Sequence, residues 1–536
     1  MKGKSALMAG VAAVALIVSA QAGLAGKNTS DGTSAPMAAS GPSNAELAAR
    51  IQALEDELQA SETKVDTDHG RLSALEQSFN YTTWTFDNAR PVVNSGDGRF
   101  SMAFRVRFQF DEANFMQDSS AALTANAPKA IQDLSSGAVI RRGFFGIEGK
   151  AFSDFWYEFR LNAGGSNGGS AGASGVPTAG EGDPLMSLAR VAYLGIPHWM
   201  INVGVIEPAL MFEGTTSSGQ LMFMERPEID NIAADSFGAA DSRRGIEVRY
   251  QKDSALLPGD NLVLNVAFTG NKTGSTAGHG GSATPGAGGD EQTQLLDRVS
   301  YRFWSDGPSN ASVGFRYSNI LYSGNTAGGG SQTIQLRDRP EIRVDGTRLI
   351  DTGGIAAKTG TMYAFDGGVN FENFFLGGEW AQFQVDRMKS GVLAADHPTF
   401  SGYYIEGSWV LTGEPKTYTV TSTNNEVGGF GAPRVANPFS FSGDSWGAWE
   451  LTARYSDTNL NWNQITAATA TTQAGINGGD ERIITIGLNW YLNNNVKLQV
   501  NDLITNVNKF SAVSHVLANK GSQDFNTVGV RLQFSN

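Results

Sequence analysis

The chain has 536 residues, with 65 Gly, 30 Phe, 10 Trp and no Cys, and 40 basic against 53 acidic residues leave a formal net charge of -13. That balance and a pI near 5.0 argue against a nucleic-acid partner, because a polyanion is repelled and no exposed basic cluster stands out. Beyond residue 20 no run of about 18 apolar residues occurs, which excludes helical membrane spans, whereas a mean hydropathy of -0.22 suits a β-barrel whose wall is apolar on one face only. The alternative in that class is a secreted soluble β-protein.

At the start, Lys2 and Lys4 precede an apolar run from Ala6 to Val18, and Ala20-Gln21-Ala22 supplies a small-x-small cleavage site. This reads as a signal peptide over residues 1–22, the apolar run being too short for a retained anchor. A Gly/Ser/Thr/Ala-rich linker follows over 23–42. Ser43 and Glu46 then stand in capping-box spacing. Leu47, Ile51, Leu54, Leu58, Val65, Leu72, Leu75 and Phe79 recur on three- and four-residue steps, with Ser61 and Asp68 weakening the middle of the seam. So narrow a stripe predicts a self-associating coiled coil over 43–79, placed in the periplasm and forming a trimer; a solitary amphipathic helix lying on the barrel is the alternative.

From about residue 81 the period changes to two. Phe100, Met102, Phe104, Val106, Phe108 and Phe110 alternate with polar partners, and so do Phe155 to Asn162, Leu262 to Phe268 and Ile484 to Leu492. One face is for lipid and the other for water, with aromatic residues at strand ends. Long Gly-rich connections at 164–183 and 270–292 contrast with short turns and lack the ending of a phosphate-binding P-loop. The fold class is therefore an all-β transmembrane barrel over 80–536, with about 16 antiparallel strands, behind a short α-helical coiled-coil segment. A barrel of that size encloses an aqueous channel.

Alternation also assigns the water-facing side chains. They include Arg105, Arg107, Arg142, Lys150, Arg160, Arg249, Arg298, Arg302, Arg316, Arg454 and Arg531, against Asp111, Glu148, Glu158, Glu247, Glu406 and Glu450. A basic wall in an acidic protein favours anions, because fixed positive charge between low-dielectric walls concentrates them. The alternative is that inward arginines pair with inward carboxylates and only hold the strands in register.

Several phrases, in order, resemble the phosphate-selective porin family of Gram-negative outer membranes, porins O and P. In the second half they are RDRPEIRVDGTRLIDTG (337–353), FSGYYIEGSWVLTGE (400–414), WGAWELTARYS (446–456) and ITIGLNWYLNNNVKLQV (484–500). In the first half they are WTFDNARPVVNSGDGRFSMAFRVRFQFD (84–111), FMER (223–226) and RRGIEVRY (243–250). The resemblance implies a 16-stranded trimeric barrel constricted by an inward-folded third loop, with insertion of the last strand by the barrel-assembly machinery. Where the family resembles GQFKxP, this chain reads Gly204-Val205-Ile206-Glu207-Pro208, without the lysine. The matching loop, Ala209 to Ser242, holds Glu213, Glu225, Glu228, Asp230, Asp235 and Asp241 against Arg226 alone. Should those acids line the constriction, the pore is cation-preferring or weakly selective; should they bond the loop to the wall, the arginines decide. Phe212 and Phe223 are expected to pack the loop. Val528, Val530, Leu532 and Phe534 read as the last strand, with Ser535 and Asn536 extending past the aromatic residue that usually ends such barrels.

Enzymatic readings find no support. The five histidines are scattered, and neither a G-x-S-x-G elbow nor an H-E-x-x-H motif occurs, so no catalytic residue, metal or cofactor is expected. A receptor or adhesin anchored by the barrel is the rival class, but Gly/Ser-rich loops offer few aromatic anchors and no plug domain is present. The expected function is passive diffusion of small hydrophilic solutes, anions such as phosphate foremost, across an outer membrane. No motif separates phosphate from another small anion.

Overall fold

The computed structural model describes residues 43–87, 89–117, 133–165, 185–239, 242–273, 290–324, 333–389, 395–463, 475–510 and 520–536. The expected signal peptide and linker lie outside them, as do Asp241 and most of the two Gly-rich segments. Two units are distinguished, one ending at Ala74 and one running from Leu75 to Asn536.

Helix α1 spans Asn44–Asn80, most of it in the first unit. Its start is a reciprocal capping box: Glu46 N–H donates to Ser43 Oγ at 3.2 Å and Ser43 N–H to Glu46 Oε2 at 3.3 Å. Leu47, Ile51, Leu54, Leu58, Val65, Leu72 and Leu75 are all exposed in the single chain.

Sixteen antiparallel strands close into a barrel. They are β1 (Ser101–Met116), β2 (Gly137–Ala151), β3 (Phe155–Asn162), β4 (Leu185–Tyr193), β5 (Trp199–Ile206), β6 (Arg243–Asp253), β7 (Asn261–Lys272) and β8 (Thr293–Asp306). They continue as β9 (Ser309–Tyr322), β10 (Ile355–Phe371), β11 (Phe374–Arg387), β12 (Thr399–Val410), β13 (Ala448–Trp462), β14 (Ile476–Tyr491), β15 (Val496–Phe510) and β16 (Lys520–Ser535). Each pairs with its neighbours in sequence, and β16 returns to β1 through the register Asn526↔Met116 to Ser535↔Arg107. The two residues beyond Phe534 extend this seam: Val106 N–H donates to Asn536 Oδ1 at 2.7 Å, and Arg107 Nε to Ser535 Oγ at 3.2 Å.

Period two places apolar side chains outward. Phe108, Phe110, Ile484, Ile486, Leu488, Val530, Leu532 and Phe534 are exposed, while Gln109, Asp111, Thr485, Asn489, Arg531 and Gln533 between them are buried. Aromatic rings gather where strands meet the short turns, with Trp449 stacked on Trp490 at 5.2 Å and Phe374 on Trp409 at 5.6 Å.

Three connections carry structure inside the barrel. The β5–β6 connection contains helix α2 (Glu228–Phe237), and the β9–β10 connection pairs Arg337–Asp338 with Ile350–Asp351. These two leave the long-loop end. The β12–β13 connection, residues 411–447, leaves the opposite end and pairs Lys416–Tyr418 with Phe430–Pro433. Leu210, Phe223, Ile229, Ile232, Phe237, Ile342 and Leu349 from the first two segments form one apolar cluster with Met362, Phe383, Phe400, Leu460, Ile483 and Leu503 from the wall. Inward positions on β10–β15 are thus often apolar, since they pack against protein rather than water.

Candidate functional site

The β5–β6 connection, expected from the resemblance to be the constriction loop, leans on the wall of β11–β15. Glu379 of β11 accepts the Phe212 N–H at 3.0 Å, Asn501 of β15 accepts the Met224 N–H at 2.8 Å, and Asn489 of β14 donates to Met222 O at 2.8 Å. Phe223 lies under the Arg454 guanidinium at 4.3 Å, and Phe212 packs edge-on against Phe430, so both rings pin the loop. Helix α2 starts after Pro227 and stops at Gly238, whose φ of 80° permits the left-handed cap that bonds Ala233 O.

Glu213, Glu228 and Asp230 turn toward this wall, whereas Glu225 is held by arginines of β2 and β16. Glu225 receives Arg141 Nε at 2.6 Å and Nη2 at 2.9 Å, and Arg531 Nη2 at 2.7 Å, with Arg343 at 3.7 Å and Arg142 at 3.8 Å. Although burial opposes ionisation, these guanidinium groups hold its carboxyl well below the usual carboxylate range. Glu213 sits 3.5 Å from Arg454 beside Glu406; burial raises its pKa. Glu228 faces Glu481 and Asp230 faces Glu379, and neither loop carboxyl has a basic hydrogen-bond partner. Burial first, then Glu481, pushes Glu228 well up, and burial first, then Glu213, pushes Asp230 up to about 7. Arg226 is spent on backbone, donating to Glu213 O at 3.0 Å and Thr216 O at 2.7 Å.

Between the loop and the wall of β1–β4 lies a cavity of about 180 Å³. Arg105, Arg107, Arg141, Arg142, Arg160, Arg190, Arg226, Lys272 and Arg343 line it, against Glu158, Glu207, Asp235 and Glu426. Glu213, Glu225, Glu228 and Asp230 do not. Of the arginines expected on the channel wall, Arg105, Arg107, Arg142 and Arg160 therefore meet at one place. Arg105 bonds Glu148 at 3.0 Å, Arg142 bonds Gln109 at 2.7 Å, and Arg160 bonds Glu207 while stacking on Phe144 at 4.5 Å. Arg107 differs. It donates to the Ser218 and Ser217 hydroxyls at 2.6 and 2.8 Å and, among the described residues, has no carboxylate in ion-pair reach.

The remaining expected channel residues do other work. Arg249 and Arg298 bond the backbone of the β12–β13 segment at Asn424 O and Gly428 O. Arg316 pairs with Asp366 at 2.7 Å, Arg454 with Glu341 at 2.6 Å, and Arg531 with Asp111 at 2.6 Å. Arg302 bonds Asp253 at 2.8 Å and lines a second cavity of about 880 Å³ at the short-turn end. Lys150 is exposed. Arg141, Arg190, Lys272 and Arg343 escaped the alternation argument. Arg141 is the extra residue of a β-bulge, where Gln109 pairs with Arg142 and Phe110 with Ile140, so two consecutive arginines enter the lumen. Among the described residues no group of His, Cys, Asp and Glu is arranged to hold a metal.

Residues 120–535 match the model of the family described as phosphate-selective porin O and P. The chain belongs to that family. This outer-membrane porin is similar to Porin O of Pseudomonas aeruginosa, with 22% identity over 488 residues covering 86% of this chain and 96% of that one. Among solved structures it resembles the outer membrane channel DcaP of Acinetobacter baumannii (11% identity, TM-score 0.44, 82% of this chain and 97% of that). It also resembles an anion-selective porin from Comamonas acidovorans (13% identity, TM-score 0.43, 82% of this chain and 100% of that).

Two outcomes follow for the loop. Glu225→Ala leaves buried Arg141 and Arg531 without their shared counter-ion, at a cost of about 3–5 kcal/mol, and should lower the midpoint of heat modification on gels; an unchanged midpoint would show that this carboxylate does not secure the loop. The second concerns pH. Arg226 and Glu213 from the loop, Glu379 from β11, Tyr404 from β12 and Arg454 from β13 surround Asp230. Its pKa is raised on docking, so the docked loop keeps a proton that a released loop gives up. Docking is then firmest below about pH 4 and weakens as pH rises toward about 7. Open-channel current noise should grow over that window, and noise that falls instead contradicts the assignment.

Proposed function

We propose that this porin is a water-filled channel for passive diffusion of small hydrophilic solutes, with a preference for inorganic anions such as phosphate. The observation that carries the reading is Arg107, a guanidinium held by three hydroxyls with no carboxylate in ion-pair reach among the described residues, in a cavity where nine basic side chains face four acidic ones. Charge acts most strongly where an ion passes closest to the wall and is least screened. Glu213, Glu228 and Asp230 are directed at the opposite wall, Glu225 is held among arginines, and Asp235 at the cavity is paired with Lys272 and Arg348, which removes the basis of the cation-preferring alternative; the family's description as phosphate-selective supports the same reading.

In this account residues 1–22 direct export, 23–42 form a linker, and the apolar outer face meets outer-membrane lipid after the assembly machinery has recognised β16. The exposed seam of α1 lies in the periplasm and joins three copies. Arg107→Ala should lower the anion-to-cation permeability ratio by about threefold, read from the reversal potential of planar bilayers under a salt gradient. A reversal potential on the cation side for the unaltered protein would sink the proposal. For α1, replacing Leu47, Leu54 and Leu58 with Ser should weaken the trimer in cross-linking and native mass measurements, and an unaffected trimer would remove the coiled coil from the assembly.

A further inference from the structure

The β12–β13 connection, residues 411–447, enters the lumen from the short-turn end and reaches the basic cavity. Wall side chains hold its tip by the backbone: Arg190 Nη2 donates to Thr423 O at 2.7 Å, Arg249 Nη1 to Asn424 O at 2.5 Å and Arg298 Nη2 to Gly428 O at 2.9 Å. Gly428 has a φ of 62°, and a Cβ there would lie 3.0 Å from the Arg298 guanidinium, so close approach requires glycine at this position. None of these bonds uses the side chain of Glu426.

Glu426 is the one charged residue between Lys416 and Arg434. It lines both the 180 Å³ basic cavity and the 880 Å³ turn-side cavity, and so marks where the two meet. Its carboxylate is half-buried, forms no ion pair or hydrogen bond with a described residue, and lies close enough to Arg105 and Arg107 to act on both electrostatically. An otherwise uncharged stretch, residues 417–433, fixed by its main chain, thus delivers a single negative charge to the exit of a basic chamber.

We propose that Glu426 is a selectivity-determining residue, a fixed carboxylate that opposes the arginine cluster at the turn-side exit and limits the porin's anion preference. The inference rests on the anion-conducting reading above. A solute leaving the arginines must pass this charge, and the repulsion grows with solute charge, so polyvalent anions are retarded more than monovalent ones. Cations, conversely, gain one favourable site at the exit and are not wholly excluded.

The test compares unaltered full-length protein with Glu426→Gln and Asn425→Asp in planar bilayers, using reversal potentials in gradients of potassium chloride and of potassium sulfate. Glu426→Gln should raise the chloride-to-potassium permeability ratio about twofold at low salt, and the sulfate ratio by more. Asn425→Asp, which adds a carboxylate at the same tip, should lower both. In about 1 M salt, where the screening length is about 3 Å, the differences should shrink. Ratios for Glu426→Gln equal to the unaltered protein at low salt overturn the proposal, as does a rise with Asn425→Asp. Cation selectivity in the unaltered protein instead overturns the anion reading beneath it, and the two failures are distinct. Heat modification of each variant confirms that the barrel has formed.

Discussion

One carboxylate ties the lumen together. Glu225 of the constriction loop takes Arg141 of β2 at 2.6 Å and Arg531 of β16 at 2.7 Å, with Arg343 of the β9–β10 segment at 3.7 Å. Arg531 also grips Asp111 of β1 at 2.6 Å, so the same hub spans the seam where the barrel closes. Burying a charge is costly unless it is paired and hydrogen-bonded, and this arrangement meets that demand for the acid and its nearest arginines together. A loop dense in acids can therefore fold into a channel with Glu213, Glu225, Glu228 and Asp230 outside the basic cavity and with Asp235, at the cavity, paired with Lys272 and Arg348.

The interior is divided as a result. On the side of β10–β15, inward apolar side chains and the loops make a packed core around Phe237, Phe383 and Phe400. On the side of β1–β4 a polar passage remains, walled by arginines on one side and by the hydroxyls of Ser217 and Ser218 on the other. Net charge and local charge then part company: the protein is acidic overall, yet the cavity between the β5–β6 connection and β1–β4 is basic. Arginine suits this setting because a planar guanidinium can hold a carboxylate or a carbonyl on one edge and leave another edge for a solute.

Much of the fold was legible in the sequence, because lipid on one face enforces period two. Phe108, Phe110 and Ile484 to Leu488 revealed their strands, and the capping box at Ser43 and Glu46 marked the start of α1. Less of the site was legible. Arg105, Arg107, Arg142 and Arg160 followed from alternation, but Arg141 sits in a bulge where alternation fails. Arg249, Arg298, Arg316 and Arg454 face inward as expected, yet partners distant in sequence occupy them: Asn424, Gly428, Asp366 and Glu341. The phrase at 337–353 gave no sign of lying inside the barrel, and nothing local distinguishes the β12–β13 connection from an ordinary loop. Side-chain direction is a property of a strand, whereas partner choice depends on where inserted segments come to rest.

The central claim is that anions are received at the β1–β4 wall because the loop acids are either turned away from it or paired with basic side chains. Crystals of the full chain soaked in bromide and, separately, in rubidium would locate anions and cations by anomalous scattering. Bromide beside Arg107, between the wall and Ser217, with no rubidium at Glu213 or Asp230, is the predicted result. Rubidium gathered on the loop carboxylates, with the arginine cavity free of bromide, would contradict it.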